Sequence, residues 1–375
     1  MDKINHNNSR LEIRPLSTKF GKLMFVLSFV TLFINLSIAQ INKAKEIDSV
    51  ATKLFETGQI YGGILVAEGD KIIYNKAFGM SDKEGKIPNS DNALFPINSM
   101  TKSFTAILVL QLYQEGLIKL NEPISLYLPE FNHPKSDEIT IHHLLSHRSG
   151  LQDYFLVQLN DKMDFDISMD EMLNNIEEME LEFEPGTAFS YNNTGYVLLA
   201  ILVEKKRHLS FKEALEKYIF KPLKMTNTTY SSTDKLIGAV KLYDQNGEPA
   251  QTNRYFIGDA GIFSTTKDLH KFLMTVNSDK LLSNKTWKLA LTPHSLPKEA
   301  KREFPAHFSP YGYGFGLTEW PYENTKNKIT ASHGGAGFGS SSYMTRFIES
   351  DRIIILWNNQ YKSPVQPVIY QIMAK

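Results

Sequence analysis

Ser99 and Lys102, in "FPINSMTKSF", put a hydroxyl and an amine three residues apart in front of an apolar run. On a helix, positions i and i+3 share a face, with Cβ atoms about 5–6 Å apart. A lysine buried there binds its proton less tightly and can accept one from a neighbouring hydroxyl. Free N–H groups at the helix start can meet an oxyanion as it develops. An ordinary helix start with a solvated lysine reads the same way, so S-x-x-K alone does not decide.

Two further stretches carry chemistry. In "FEPGTAFSYNNTGYVLLAILVEK", Pro185 and Gly186 make a turn and Tyr191-Asn192-Asn193 leads into an apolar helix. Asn193 or Thr194 could simply cap that helix. In the functional reading Lys102 favours the Tyr191 phenolate, making it a general base, and the Asn193 amide bonds a substrate carbonyl. In "SHGGAGFGS", residues 332–340, a strand ends in two glycines and bares backbone where a ligand can lie. A glycine-rich hairpin is the plain alternative.

The elements that must position these residues are readable from periodicity. "INKAKEIDSVATKLFETGQ" has helical spacing, and "YGGILVAEGD" with "KIIYNKAFGM" reads as a hairpin over a Gly-Asp turn. Residues 99–280 are helix-rich, with "FTAILVLQLYQEG" apolar nearly all round and stopped by Gly116. Thr265 and Asp268 have capping-box spacing ahead of another helix. "YGYGFGL", "KITASHGG", "SYMTRFIE" and "RIIILWNN" carry strand signals, and "PVQPVIYQIMAK" reads as a last helix. The order suggests an α+β fold in which one antiparallel sheet is assembled from both chain ends, 40–98 and 281–375, with 99–280 as a large helical insertion.

In this order and spacing, Ser99-Met-Thr-Lys102, Tyr191-Asn-Asn193 and His333-Gly-Gly335 resemble the three motifs of the β-lactamase-like serine hydrolases. That family includes class C β-lactamases, D-alanyl-D-alanine carboxypeptidases, D-aminopeptidases and certain esterases. "ITIHHLLSHRSGL", "FEPGTAFSYNNTGY", "GDAGIFSTTKDL" and "YGYGFGL" support the likeness, which runs from about residue 45 to the end. The resemblance implies a β-lactamase/transpeptidase-like fold, with the sheet flanked by terminal helices. It makes Ser99 the acylated nucleophile, Lys102 its activating partner and Tyr191 the proton shuttle. Asn193, His333 and Gly335 would contact substrate, and the backbone N–H groups of Ser99 and Ala336 would form the oxyanion hole. Where β-lactamases and penicillin-binding members usually carry Lys-Thr-Gly, this chain has His333-Gly334-Gly335, which removes a permanent cation and a hydroxyl that hold a substrate carboxylate. An esterase or D-amino-acid peptidase acting through an acyl-enzyme is therefore expected first. A class C-like β-lactamase or carboxypeptidase comes second, and a non-catalytic penicillin-binding-like sensor third.

Composition narrows the partners. The 375-residue chain balances 41 Lys+Arg against 41 Asp+Glu and has no basic tract, which argues against nucleic acid and leaves a small-molecule or peptide substrate. Residues 1–39 have a basic start, the apolar "LMFVLSFVTLFINLSIA" and small residues at Ser37 and Ala39, the pattern of a secretory signal. Export to the periplasm or medium is expected, with anchoring by residues 23–39 as the alternative. Without those five basic and two acidic residues the rest carries 36 and 39, a net charge of −3. The chain has no cysteine, hence no disulfide and no thiol nucleophile. His142, His143 and His147 cluster, but without a further ligand or an H-E-x-x-H pattern they read as structural, and no metal or cofactor is expected. The acids of "IEEMELEFE" read as a solvated helix face.

Overall fold

The computed structural model describes residues 40–160, 167–233, 236–250, 255–301, 310–318 and 329–360, together with 368, 371 and 372. The expected signal segment, 1–39, and most of the expected last helix lie outside them. The chain divides into two units, Met1–Glu46 and Ile47–Lys375. Of the first, residues 40–46 are described and are helical.

The second unit opens with helix α1 (47–56) and the hairpin β1 (Gly62–Glu68) and β2 (Lys71–Ala77). A ribbon of β3 (Met80–Asp82) and β4 (Ile87–Pro88) precedes the short β5 (Phe95–Pro96). Helices α2 (Thr101–Gln114), α3 (Ile141–Leu145), α4 (Tyr154–Leu159), α5 (Met169–Glu177), α6 (Thr194–Arg207) and α7 (Phe211–Leu215) fill the middle. β6 (Thr229–Tyr230), β7 (Ile262–Ser264), α8 (Thr266–Leu273) and α9 (Asn284–Ala290) lead to β8 (Thr330–Gly337), β9 (Ser340–Phe347) and β10 (Arg352–Asn358).

The main sheet has the order β2-β1-β10-β9-β8 and is antiparallel throughout, so strands from both ends of the chain build it. β10 lies in its middle, and its run Ile353–Trp357 is buried on both faces. Ile353, Ile355 and Trp357 join the large core with α2 and α8, while Ile354 and Leu356 face Ile47, Ala51 and Leu54 of α1 and Val368. A continuous apolar run is what a strand covered on both faces requires. α2, buried from Thr101 to Leu112, is the axis of the large core, with Phe104 stacked on Phe272 of α8 at 3.8 Å between centroids. α6 packs beside it.

Three local expectations change. Residues 311–317 do not form a strand, although Tyr311, Tyr313, Phe315 and Leu317 are all buried. The segment folds back on itself: Gly312 N–H donates to the Phe315 carbonyl, and Tyr311 bridges Gly316. Gly314 has φ +75°, and a Cβ there would lie 2.6 Å from Ala106 of α2, so glycine both permits the turn and lets it touch the helix. Thr265 caps α8 through the Asp268 N–H, but the reciprocal half of the box is missing because the Asp268 carboxylate binds the Asn227 N–H, Thr228 and Lys271. The stretch expected to be helical also carries β6 and β7, which pair with β5 in a second small sheet.

Candidate active site

β5 delivers the chain to Ser99. It pairs with β7, and Phe95 stacks on Trp357 of β10 at 4.8 Å, which ties the approach to the main sheet. The Ile97 carbonyl accepts from the Ser342 hydroxyl of β9 at 3.0 Å, and the Ile97 N–H donates to the Ile262 carbonyl. Asn98 then turns with φ +48°, a conformation that costs most side chains and that asparagine tolerates better. Its amide donates to the Ser340 hydroxyl at 3.1 Å. Ser99 sits in a 3₁₀ turn, Asn98–Met100, directly before α2, and is partly exposed.

Lys102 is fully buried, and its Nζ lies 3.3 Å from Ser99 Oγ, 2.7 Å from Asn193 Oδ1 and 3.0 Å from the Asp259 carbonyl, with the Tyr191 phenol also hydrogen-bonded to it. Asn193 Oδ1 and the carbonyl can only accept, so each holds one N–H of the lysine in either protonation state. The third direction points at Ser99, whose hydroxyl can donate or accept. When the amine is neutral, its lone pair lies on that side, toward Ser99 and Tyr191.

Asn193 does not cap α6 with its side chain; Asn192 Oδ1 does, accepting from the Gly195 N–H at 2.8 Å. The Asn193 amide nitrogen donates to both oxygens of Asp153, at 3.1 Å each, while its oxygen takes Lys102. Its side chain thus orients Lys102 in this state, where direct contact with substrate was expected. Asp153 and Asp259 were not singled out in the sequence. Asp153 caps α4 by accepting from the Phe155 N–H, and Asp259 accepts from the Tyr154 hydroxyl at 2.6 Å. Burial pushes the Asp259 carboxyl up to about 6, against the pull of Lys102 and Tyr154. An acid inside the apolar, glycine-rich "GDAGIF" was the available signal for it.

Tyr191 lies beside this group, with Lys102 Nζ 5.1 Å from its ring centre. Burial pushes the phenol up; the charge of Lys102 and hydrogen bonds to Ser99 and Lys102 oppose that without cancelling it. Tyr191 therefore rests as the neutral phenol, not the phenolate expected from the lysine charge alone.

His333, expected to contact substrate, is turned inward and almost fully buried. Its Nδ1 lies 2.6 Å from the Gly334 carbonyl, an acceptor, so the proton sits on Nδ1 and Nε2 accepts from the Tyr311 hydroxyl at 3.0 Å. Burial, reinforced by the Lys102 charge, lowers its pKa to about 3, and the ring is neutral. Gly335 faces the nucleophile's turn, where an added Cβ would lie 2.3 Å from the Ile97 carbonyl oxygen. β8 is the edge strand of the sheet, and Ser332 exchanges both backbone hydrogen bonds with Gly316 across that edge. Backbone groups two and four residues on point the same way, so the Ala336 N–H also faces off the free edge. His142 bonds Tyr313 and His143 completes the cap of α3 with Thr140, so these two histidines serve structure.

The profile of the beta-lactamase family matches residues 47–372, and the chain belongs to that family of serine hydrolases. It is 30% identical over 342 residues to a penicillin-binding protein of Bacillus subtilis (strain 168), covering 85% of this chain and 72% of that one. It is 25% identical over 375 residues to the esterase EstB of Burkholderia gladioli, covering 87% and 93%. Among solved structures, a penicillin-binding protein from Bacillus halodurans superposes with a TM-score of 0.72 at 26% identity, covering 87% of this chain and 98% of that one.

Proposed function

We propose that this protein is an exported hydrolase that cleaves a small ester or amide through an acyl-Ser99 intermediate, as an esterase or D-amino-acid peptidase. The observation that carries the reading is the buried Lys102, held by two acceptor-only partners and turned toward Ser99 and Tyr191. Ser99 Oγ attacks the substrate carbonyl carbon while its proton passes to Lys102, in the state where that amine is neutral. The carbonyl π pair moves to oxygen, facing the N–H groups of Ser99 and Ala336. Tyr191 gives its proton to the departing alkoxide or amine and regains one from Lys102, so the serine proton ends on the leaving group. Water then attacks the acyl carbon, its proton returning through Tyr191 and Lys102 to Ser99 as the acid leaves.

The esterase or peptidase ranking is supported by the neutral, inward His333, which offers no cation to a carboxylate. It is also supported by the Phe155 and Phe338 rings, 6.5 Å apart, which link α4 to the turn just beyond Ala336. Penicillin recognition is the second reading, favoured by the likeness to penicillin-binding proteins. Export rests on the pattern of residues 1–39; among the described residues no helix is long and apolar enough to cross a membrane.

The test is to treat the protein with a fluorophosphonate probe, a fluorescent penicillin and a nitrophenyl ester, and to map the labelled peptide. Fluorophosphonate on Ser99, ester turnover and slow penicillin acylation are expected, with label and turnover lost in Ser99→Ala. Labelling elsewhere would remove the nucleophile assignment, and fast penicillin turnover would put the second reading first.

A further inference from the structure

Tyr191 is flanked by two backbone amides, and one residue holds both. The Ser190 N–H donates to the His147 carbonyl at 3.0 Å, and the Asn192 N–H donates to His147 Nδ1 at 3.1 Å. Between these two bonds the His147 ring lies against the Tyr191 ring, with centroids 4.4 Å apart. Tyr196 and Tyr311 close the remaining sides at 5.0 and 4.7 Å.

His147 bears two costs that a packing residue would not need. Its backbone has φ +58°, a region most side chains avoid. Because Nδ1 accepts, the ring proton is on Nε2, and that nitrogen is buried with no hydrogen-bond partner. Buried donors are nearly always paired, so the ring keeps this orientation, at a cost, for the bond that Nδ1 makes. A phenylalanine would fill the same space but leave the Asn192 N–H without its acceptor. The charged or titratable groups around the ring are Lys102, His333, Tyr191, Tyr196 and Tyr311.

We propose that His147 is the positioning residue of Tyr191: it holds both flanking amides and packs its ring against the phenol, fixing where the hydroxyl points. The proposal rests on the reading of Tyr191 as the proton carrier. No proton leaves His147.

The experiment compares His147→Asn, His147→Phe, Tyr191→Phe and the double variant His147→Asn/Tyr191→Phe in the full chain. Melting temperature and the pH profile of kcat/KM on a nitrophenyl ester are measured for each. Asparagine accepts φ +58° and can still receive the Asn192 N–H, so His147→Asn should fold; it lacks only the ring and its donor. Its kcat/KM should fall about 10- to 100-fold at every pH, because the ring that packs on the phenol is gone. The double variant should be no slower than Tyr191→Phe alone, because His147 acts through the phenol. Wild-type kcat/KM for His147→Asn, or an additive loss in the double variant, would overturn the proposal while leaving Tyr191 in place. Full activity in Tyr191→Phe would instead remove the proton-carrier reading, and the proposal with it. If His147→Phe fails to fold, His147→Asn decides alone.

Discussion

Gly335→Ala tests the distance between the sheet edge and the nucleophile. The added Cβ would lie 2.3 Å from the Ile97 carbonyl oxygen, 2.8 Å from Ser342 Oγ and 3.0 Å from Asn98 Cβ. Ordinary contact begins near 3.4 Å, so the gap between β8 and the turn before Ser99 must open by about 1 Å. Neither side yields cheaply, since the Ile97 carbonyl also accepts from Ser342 and from the Met100 N–H. Overpacking of this kind costs about 1–3 kcal/mol of stability, a few degrees of melting temperature for a chain of this size. The catalytic cost is larger, because a 1 Å misplacement separates the Ser99 and Ala336 N–H groups and is worth about 100-fold. Gly334→Ala is the comparison, with its Cβ 3.4 Å from Tyr343, and should lose much less. Steady-state kcat/KM on a nitrophenyl ester, with thermal melts of each variant, measures both effects. A Gly335→Ala enzyme within about threefold of wild type would show that this approach does not set the oxyanion site, and the reasoning would fail.

Lys102→Ala and Tyr191→Phe should each lower ester turnover by several orders of magnitude, and the double variant should lose little more, as for groups that share one proton transfer. Losses that multiply would show that the two act in different steps. Acidification should destabilise the protein, because burial holds His333 near 3 and His142 near 4 and holds His147 low as well. These histidines bind protons more readily when unfolded, with a pKa of about 6.5, so their share of stability is complete above that value and is lost as the pH falls toward 4. Asp259, raised to about 6, works the other way over part of that range, and the three histidines outweigh it. Melting temperatures from pH 7.5 to 4.5 check this, and a curve flat across that interval would contradict it.

The residues that meet at Ser99 were legible in the sequence where a short motif carries them, and the sheet was legible where hydropathy alternates or runs unbroken, as in β1, β2 and β10. What stayed hidden depends on partners far away in the chain. Nothing near Asp153 shows that its carboxylate will hold Asn193 forty positions on, nor near Asp259 that its carbonyl will hold Lys102. Which of two adjacent asparagines caps α6 is settled by the pull of Lys102 and Asp153 on Asn193, not by local preference. The histidine cluster invited a metal reading as a set; the fold gives each member different work. The "YGYGFGL" segment misled because period two describes which side chains are buried but not whether the backbone runs straight. There the left-handed Gly314 bends it.

The placement of β10 between β1 and β9 bears on how the molecule comes into being. β1–β2 and β8–β9–β10 are local meanders that can form as their own residues emerge. The seam between β1 and β10 joins residues such as Glu68 and Arg352, 284 positions apart. Closing so long a loop is entropically costly and kinetically late. Until it closes, β1 and β10 each offer an apolar, unpaired edge, and β9 and β8 cannot settle against the turn that carries Ser99. A ribosome-bound chain can complete α2 to α7 early but cannot assemble the site around Ser99 until β10 has been made. Inheritance of activity is therefore all-or-none along the chain, and a stop codon before β10 should yield an insoluble product, not a weak enzyme.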